Sequence, residues 1–163
     1  MQIIEDPNLM QERAMRFRTE GKLIALVSTS GALHAGHAAL IEKAKEEADI
    51  VVLSAIVNPR EFGPNEDYQR YPRNSSGDAE FCEKHGVDLL FRPPAKVLFP
   101  DNFSISVTED SVSSGLCGVS RPHYFKGVCT LHTLLFNVIR PDNLILVFGF
   151  LCFAHLIYLQ SIF

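Results

Sequence analysis

The stretch Leu26-Val27-Ser28-Thr29-Ser30-Gly31-Ala32-Leu33-His34-Ala35-Gly36-His37 decides the fold. It leaves an apolar run, residues 22–27, crosses small and polar residues, and enters a segment of helical periodicity at about 37–48. There Leu40, Ile41 and Ala44 fall on one face, and Glu42, Lys43, Lys45, Glu46 and Glu47 on the other. Strand, small-residue loop and amphipathic helix make the first part of a crossover unit. Residues 50–57 complete it with a near-continuous apolar run, as in strands buried on both faces of a parallel sheet.

The same alternation continues outward. Toward the N-terminus, Asp6-Pro7 is a helix start, with Met10, Ala14 and Phe17 at i, i+4 and i+7 and Gly21 as the stop. Toward the C-terminus, residues 58–73 are polar and irregular; a loop of that length inside a domain is more often functional than idle. A helix capped by Ser75 or Ser76 runs to about His85 and stops at Gly86. A strand over 87–91, a weakly alternating segment over 103–108 and a buried helix over 127–139 follow. Helices alternating with strands predict an α/β, doubly wound, Rossmann-like parallel sheet. Residues 22–27 and 50–57 are expected to be adjacent, parallel and central.

Composition excludes several classes. With 47% hydrophobic and 21% charged residues in 163, the chain has a core and is not disordered. A net charge of −4 supplies no basic surface for long nucleic acid. The four cysteines, at 82, 117, 129 and 152, form no Cys-x-x-Cys pair and read as reduced thiols of a cytoplasmic protein. The first residues have neither the basic start nor the apolar core of a secretory signal.

All fifteen Lys and Arg and all nineteen Asp and Glu lie within the first 142 positions. Residues 1–142 are read as one nucleotide-binding domain, and 143–163 as an apolar tail of unknown domain status. Three readings of the tail stand. It is an unrelated segment after a break in the sequence, a membrane anchor long enough to span a bilayer, or a last strand at 144–148 followed by a buried helix. The first is adopted, because the change of character is abrupt.

The loop and helix start at 28–37 lie where open α/β sheets bind ligands, beyond the carboxyl ends of the strands. A helix N-terminus offers unpaired N–H groups and partial positive charge, which suits phosphate. Gly31 and Gly36 allow close backbone approach. His34 and His37, at i and i+3, are able to face one ligand and donate hydrogen bonds to a phosphate gaining charge. The plainer reading is two surface residues of a helix start. A zinc site lacks a third ligand nearby, so no metal is assigned.

Ser30-Gly31-Ala32-Leu33-His34-Ala35-Gly36-His37 resembles the nucleotide-binding signature of the pantoate–β-alanine ligase family, one of the HIGH-type nucleotidyltransferases. Val57-Asn58-Pro59 with Phe62-Gly63-Pro64 and Tyr71-Pro72-Arg73 resembles its second signature. Cys117-Gly118, Arg121-Pro122 and Phe125-Lys126-Gly127-Val128 resemble the third, and Phe136-Asn137 with Arg140-Pro141-Asp142 the fourth. The resemblance implies ATP as co-substrate, magnesium assistance, and condensation of pantoate with β-alanine through a pantoyl-adenylate. It implies that Gly31, Ala32, Leu33, His34, Gly36 and His37 line the ATP site, with His37 the catalytic proton donor. It also implies small-molecule partners, no membrane association and a homodimer.

The chain departs from the family pattern at several positions. Ser30 stands for Met, Ala35 for Glu, Glu61 for Gln and Lys126 for Arg. By the resemblance, that Gln bonds pantoate, so an ionised Glu61 would repel a substrate carboxylate. At about 4 Å in a partly wet site this costs roughly 1–4 kcal/mol. The family's Gly-Glu-Lys-Asp stretch and C-terminal lid are not seen after Asp142, which reads as a chain cut short that binds nucleotide weakly at best and makes little or no pantothenate. The alternatives are a non-catalytic folded remnant that dimerises, or another nucleotidyltransferase of the superfamily.

Overall fold

Among the described residues of the computed structural model, 1–64, 66–115 and 117–146, every strand runs parallel to its neighbours. In chain order the elements are β1 (Gln2–Ile4), α1 (Pro7–Thr19), β2 (Ile24–Thr29), α2 (Ala35–Glu47), β3 (Ile50–Ala55), α3 (Ser75–Lys84), β4 (Leu89–Phe91), α4 (Ala95–Leu98), α5 (Cys117–Ser120), α6 (Tyr124–Ile139) and β5 (Asn143–Ile145). Short 3-10 turns occupy Pro59–Glu61, Tyr68–Arg70 and Val112–Ser114. The sheet order is β1-β4-β3-β2-β5. The expected central pair is present: Ile24 pairs with Ile50 and the register holds through Thr29 and Ala55.

These residues form two compact units. The first holds 1–57, 72–94 and 138–146, and therefore the whole sheet; the second holds 58–71 and 95–137. The long segments after β3 and β4 gather with most of α6 in the second unit.

In the first unit the period-2 alternation of the strands splits the core. Ala25, Val27, Val51, Leu53 and Leu90 meet Ile41 and Ala44 of α2 and Cys82 of α3, all essentially buried. The intervening Ile24, Leu26 and Val52 are equally buried. Helix α1 packs against β1 and β2 and buries Met10 and Ala14. Its start is as expected: Asp6 accepts from the Asn8 N–H at 2.9 Å and Pro7 opens the helix.

Boundaries moved where pairing overrode pattern. β2 runs on to Ser28 and Thr29 because these small residues still pair with Ser54 and Ala55. β1 was not expected; three residues carry no periodicity, and only its pairing with β4 defines it. Helix α3 is capped by Asn74, which accepts from the Gly77 N–H at 3.2 Å, and not by Ser75 or Ser76. Residues 103–108 form no strand; there the Val107 N–H donates to Thr130 Oγ1 at 3.0 Å. α6 starts three residues earlier than expected, at Tyr124, and buries His132, whose pKa burial pushes down to about 4.

The first three residues of the apolar tail are β5, parallel to β2 with Ala25 opposite Asn143. The boundary drawn after Asp142 therefore falls at the entry to a strand of the sheet. Residues 147–163, on which the membrane-anchor and buried-helix readings rest, lie outside the described residues. Among the described residues no helix is long and apolar enough to cross a membrane.

An aspartate precedes each of β3, β4 and β5, and each bonds a backbone N–H at the start of the neighbouring strand. Asp49 accepts from Leu23 at 2.9 Å, Asp88 from Val51 at 2.8 Å, and Asp142 from Ile24 at 2.9 Å. Asp142 also receives Arg18 Nη1 at 3.1 Å. A side chain that satisfies the first N–H of the next strand fixes where pairing begins. Asp142→Ala should lower unfolding free energy in urea by about 1.5–3 kcal/mol, the range for a hydrogen bond to a charged group. Asp101→Ala, at an exposed turn, should change it by less than about 0.5 kcal/mol.

Candidate functional site

The chain steps from β2 to β3 to β4 in one direction, while β5 lies on the other side of β2. The loop leaving β2 thus sits at the reversal of strand order, where such sheets bind ligands. Thr29 starts the loop. Its Oγ1 donates to the Ser54 carbonyl at 2.9 Å and accepts from the Gly31 N–H at 3.1 Å. Gly31 (φ +82°) and Ala32 (φ +54°) then take left-handed backbone, which turns the chain sharply toward α2. Asp78 of α3 lies against this turn. Its Oδ2 accepts from the Ala32 N–H at 3.1 Å and its Oδ1 from the Leu33 N–H at 2.8 Å. Leu33 packs against the core.

The two histidines are the N-terminal cap of α2. His34 is the N-cap and its Nδ1 accepts from the Gly36 N–H at 3.1 Å; His37 Nδ1 accepts from the His34 N–H at 3.2 Å. This is a capping box in which imidazoles take the parts usual for Ser and Glu. A ring nitrogen that accepts carries no proton, so these two bonds leave Nε2 as the protonated nitrogen of each ring. Each then presents Nε2–H as a donor. The ring centroids are 4.1 Å apart. Gly36 makes the fold-back possible: a Cβ there would lie 2.9 Å from His34 Cε1.

This corrects the expectation of a bare helix end. The N–H groups of Gly31, Ala32, Leu33, His34 and Gly36 are all engaged within the chain. With Nδ1 accepting, each imidazole keeps Nε2–H as its donor. His34 is exposed and His37 half-buried. Burial, and then the neighbouring His34, hold the His37 pKa below its ordinary value, while Asp78 pulls it up in part. The residues expected at this site, Gly31, Ala32, Leu33, His34, Gly36 and His37, are brought together on one loop and one helix start. Asp78 was missed. The available signal was its place four residues before Cys82, which puts a carboxylate on the buried face of α3.

The second unit holds a different cluster. Asn58, 1% exposed, donates from Nδ2 to Glu61 Oε1 at 2.8 Å and to the Gly127 carbonyl at 3.0 Å. Arg121 grips Glu66 with two bonds, Nε to Oε1 at 2.5 Å and Nη2 to Oε2 at 2.8 Å, and stacks on Tyr124. The Arg121 bonds and the Gly63 N–H hold Glu66 down at about 2, whereas burial raises Glu61 to about 7 against the pull of Asn58 and Arg121. Glu61, Glu66, Arg121, His123 and Tyr124 line a cavity of about 230 Å³.

Residues 2–161 match the Pantoate-beta-alanine ligase family. The chain belongs to that family. It is 46% identical over 143 residues to a pantothenate synthetase of Thermotoga petrophila, covering 88% of this chain and 51% of the relative. It is 47% identical, with 88% and 50% covered, to one from Geobacillus thermodenitrificans. Among solved structures it is similar to the pantothenate synthetase of Thermus thermophilus, with a TM-score of 0.81, 36% identity, and 88% and 51% of the two chains covered. A pantoate-beta-alanine ligase from Francisella tularensis, solved complexed with beta-gamma ATP and beta-alanine, gives a TM-score of 0.82 at 36% identity, with 88% and 55% covered. The chain spans about half the length of the curated relatives it matches. The family's α/β fold is the one described above.

Family membership leaves the departures at Ser30 and Glu61 to be judged on their surroundings. Ser30 removes apolar bulk just before the left-handed turn. Glu61 keeps the hydrogen bond from Asn58, and its raised pKa means that a large share is neutral near pH 7. The His37 cap has its own pH dependence. Protonating Nδ1 would remove an acceptor, and the pKa is depressed, so the stabilisation by neutral His37 is full above about 6.5 and is lost as pH falls through the lowered value. Carbon-13 NMR of the ring should give a His37 midpoint below 6.5, with the His34 and Gly36 amide resonances moving at the same midpoint.

Proposed function

We propose that this chain binds ATP at residues 31–37 and carries the nucleotide half of an AMP-forming condensation of pantoate with β-alanine. One observation carries the reading: two imidazoles 4.1 Å apart, held in one tautomer by their own capping bonds, offer paired Nε2–H donors at the switch point of a parallel sheet. In the first step the pantoate carboxylate attacks the α-phosphorus of ATP, the bond to the β-phosphate bridging oxygen breaks, and pyrophosphate leaves. In the second, the β-alanine amine attacks the acyl carbon, the bond to AMP breaks, and the amine loses a proton. His34 and His37 donate hydrogen bonds from Nε2–H to the phosphoryl oxygens as charge builds on them. A depressed pKa favours the neutral ring of His37, which donates through Nε2–H. Donors set in place before the reaction need no reorganisation during it.

Among the described residues no group of three or more His, Cys, Asp or Glu side chains is arranged to hold a metal ion. Magnesium enters this reading as part of the substrate, Mg·ATP. The same reading has the chain acting in the cytoplasm on small molecules, as a homodimer and without nucleic acid. The Francisella ligase, solved complexed with beta-gamma ATP and beta-alanine, supports both as ligands of this fold.

Calorimetry with ATP, and AMP release dependent on both pantoate and β-alanine, test the proposal. ATP should bind, and His37→Ala should weaken it at least tenfold. Loss of one preorganised donor typically lowers such rates by about 10²–10³. Glu61 adds a pH signature. Above about 7 its carboxylate repels pantoate, and below about 7 the neutral acid accepts it. AMP release should therefore rise from pH 8 to pH 6, and Glu61→Gln should raise it at pH 8 by roughly tenfold or more and flatten that rise. Absence of ATP binding, or equal binding by His37→Ala, would overturn the reading.

A further inference from the structure

We propose that Asp78 is the positioning residue of the nucleotide site: its carboxylate clamps the left-handed turn at Gly31–Ala32 and so sets where the two imidazoles of α2 point. The inference deepens the reading of residues 31–37 as an ATP site and rests on it. It comes from the way three features meet at one carboxylate.

The first is burial with both oxygens used. Asp78 is 7% exposed, and each oxygen takes one backbone N–H, from Ala32 and from Leu33. Charge-assisted bonds of this kind are shorter and stronger than neutral ones. The second is backbone strain. Ala32 sits at φ +54°, a region that an L-residue with a Cβ enters reluctantly. Such a conformation persists only where its surroundings over-determine it. Two bonds to one carboxylate, on Ala32 itself and on the next residue, do that.

The third is contact with the bare face of Gly31. A Cβ at Gly31 would lie 2.9 Å from Asp78 Oδ2, and Gly31 is itself left-handed. The carboxylate therefore fills the space that a side chain would take. From this clamped turn the chain passes directly into the cap. Leu33 N–H bonds Asp78, and the next N–H, of His34, bonds His37 Nδ1. Moving the turn moves the N-cap, and with it both rings.

The clamp also selects what the site offers to an anion. It engages the Ala32 and Leu33 N–H groups, so these two are not offered to a ligand while the imidazole Nε2–H donors are. Asp78 also places a negative charge close enough to His37 to favour its protonated form.

The test compares the chain with Asp78→Asn, Asp78→Ala, Gly31→Ala and the double variant Gly31→Ala/Asp78→Ala. It uses ATP calorimetry, NMR titration of the His34 and His37 rings, and thermal melting. Asp78→Ala should weaken ATP binding at least tenfold. Asp78→Asn, which keeps one acceptor oxygen, should fall between it and the unmodified chain. Gly31→Ala pushes the same contact from the other side, so the double variant should bind within about twofold of the weaker single variant. His37 should titrate lower in Asp78→Ala, because the charge favouring its protonated form is gone. A merely structural Asp78 would lower the melting temperature but leave ATP affinity unchanged, and that result overturns the proposal, as does simple additivity in the double variant. If Asp78→Ala does not fold, Asp78→Asn and Gly31→Ala decide the matter on the same readouts. If the unmodified chain binds no ATP, the nucleotide reading fails by itself. The clamp is then judged by the ring resonances, with unchanged His34 and His37 signals in Asp78→Asn overturning it and displaced signals sustaining it.

Discussion

Ile24–Thr29 is bonded along both edges, to Ile50–Ala55 on one side and to Asn143–Ile145 on the other. Residues Ile24 to Val27 are fully buried, so both faces of the strand are covered as well. A slip of one residue would exchange the two faces and break both ladders at once. The register is therefore rigid, and with it the point at which the chain leaves the sheet. Everything in the loop at 30–34 and the helix start at 34–37 takes its position from that exit. The strand order reverses there, the position at which open α/β sheets bind ligands.

Carboxylates govern the two ends of this sheet. At the amino ends Asp49, Asp88 and Asp142 each accept a backbone N–H from the neighbouring strand. At the carboxyl end Asp78 accepts two from the loop after β2. In both places an N–H that strand pairing leaves over finds a charged acceptor, and an unsatisfied buried donor would cost about 1–3 kcal/mol. The acidic balance of the chain is thus partly structural. It does not conflict with the phosphate recognition proposed above, because the donors proposed for it are imidazoles set by their own cap.

The second unit shows how surroundings separate two carboxyls five positions apart. Glu66 has Arg121 in a two-bond grip and is held as an anion, down at about 2. Glu61 receives one neutral donor, from Asn58, while Arg121 spends its other contact on the Glu61 backbone carbonyl and not on its carboxyl. Desolvation then outweighs the available partners, and the acid titrates near 7. The Gln-to-Glu departure is consequently less severe than the residue type suggests, because a protonated carboxyl supplies a donor and an acceptor much as an amide does.

The apolar runs and the intervening helical pattern by themselves determined the parallel α/β class, the adjacency of β2 and β3, and the helix start that carries His34 and His37. Those features depend on local periodicity and on burial of continuous apolar segments, which a linear sequence displays. The sequence did not reveal β1, too short to have a period, nor the division into two units, which depends on contacts between segments distant along the chain. Nor did it show that the loop N–H groups are already engaged, or that Asp78 is the group engaging two of them. Asp78 and Ala32 are 46 positions apart, and only the packing of α3 on the sheet brings a carboxylate under a left-handed turn. The protonation states of His37 and Glu61 were likewise decided by tertiary structure, because desolvation depends on what surrounds a group in space and not on its neighbours in the chain.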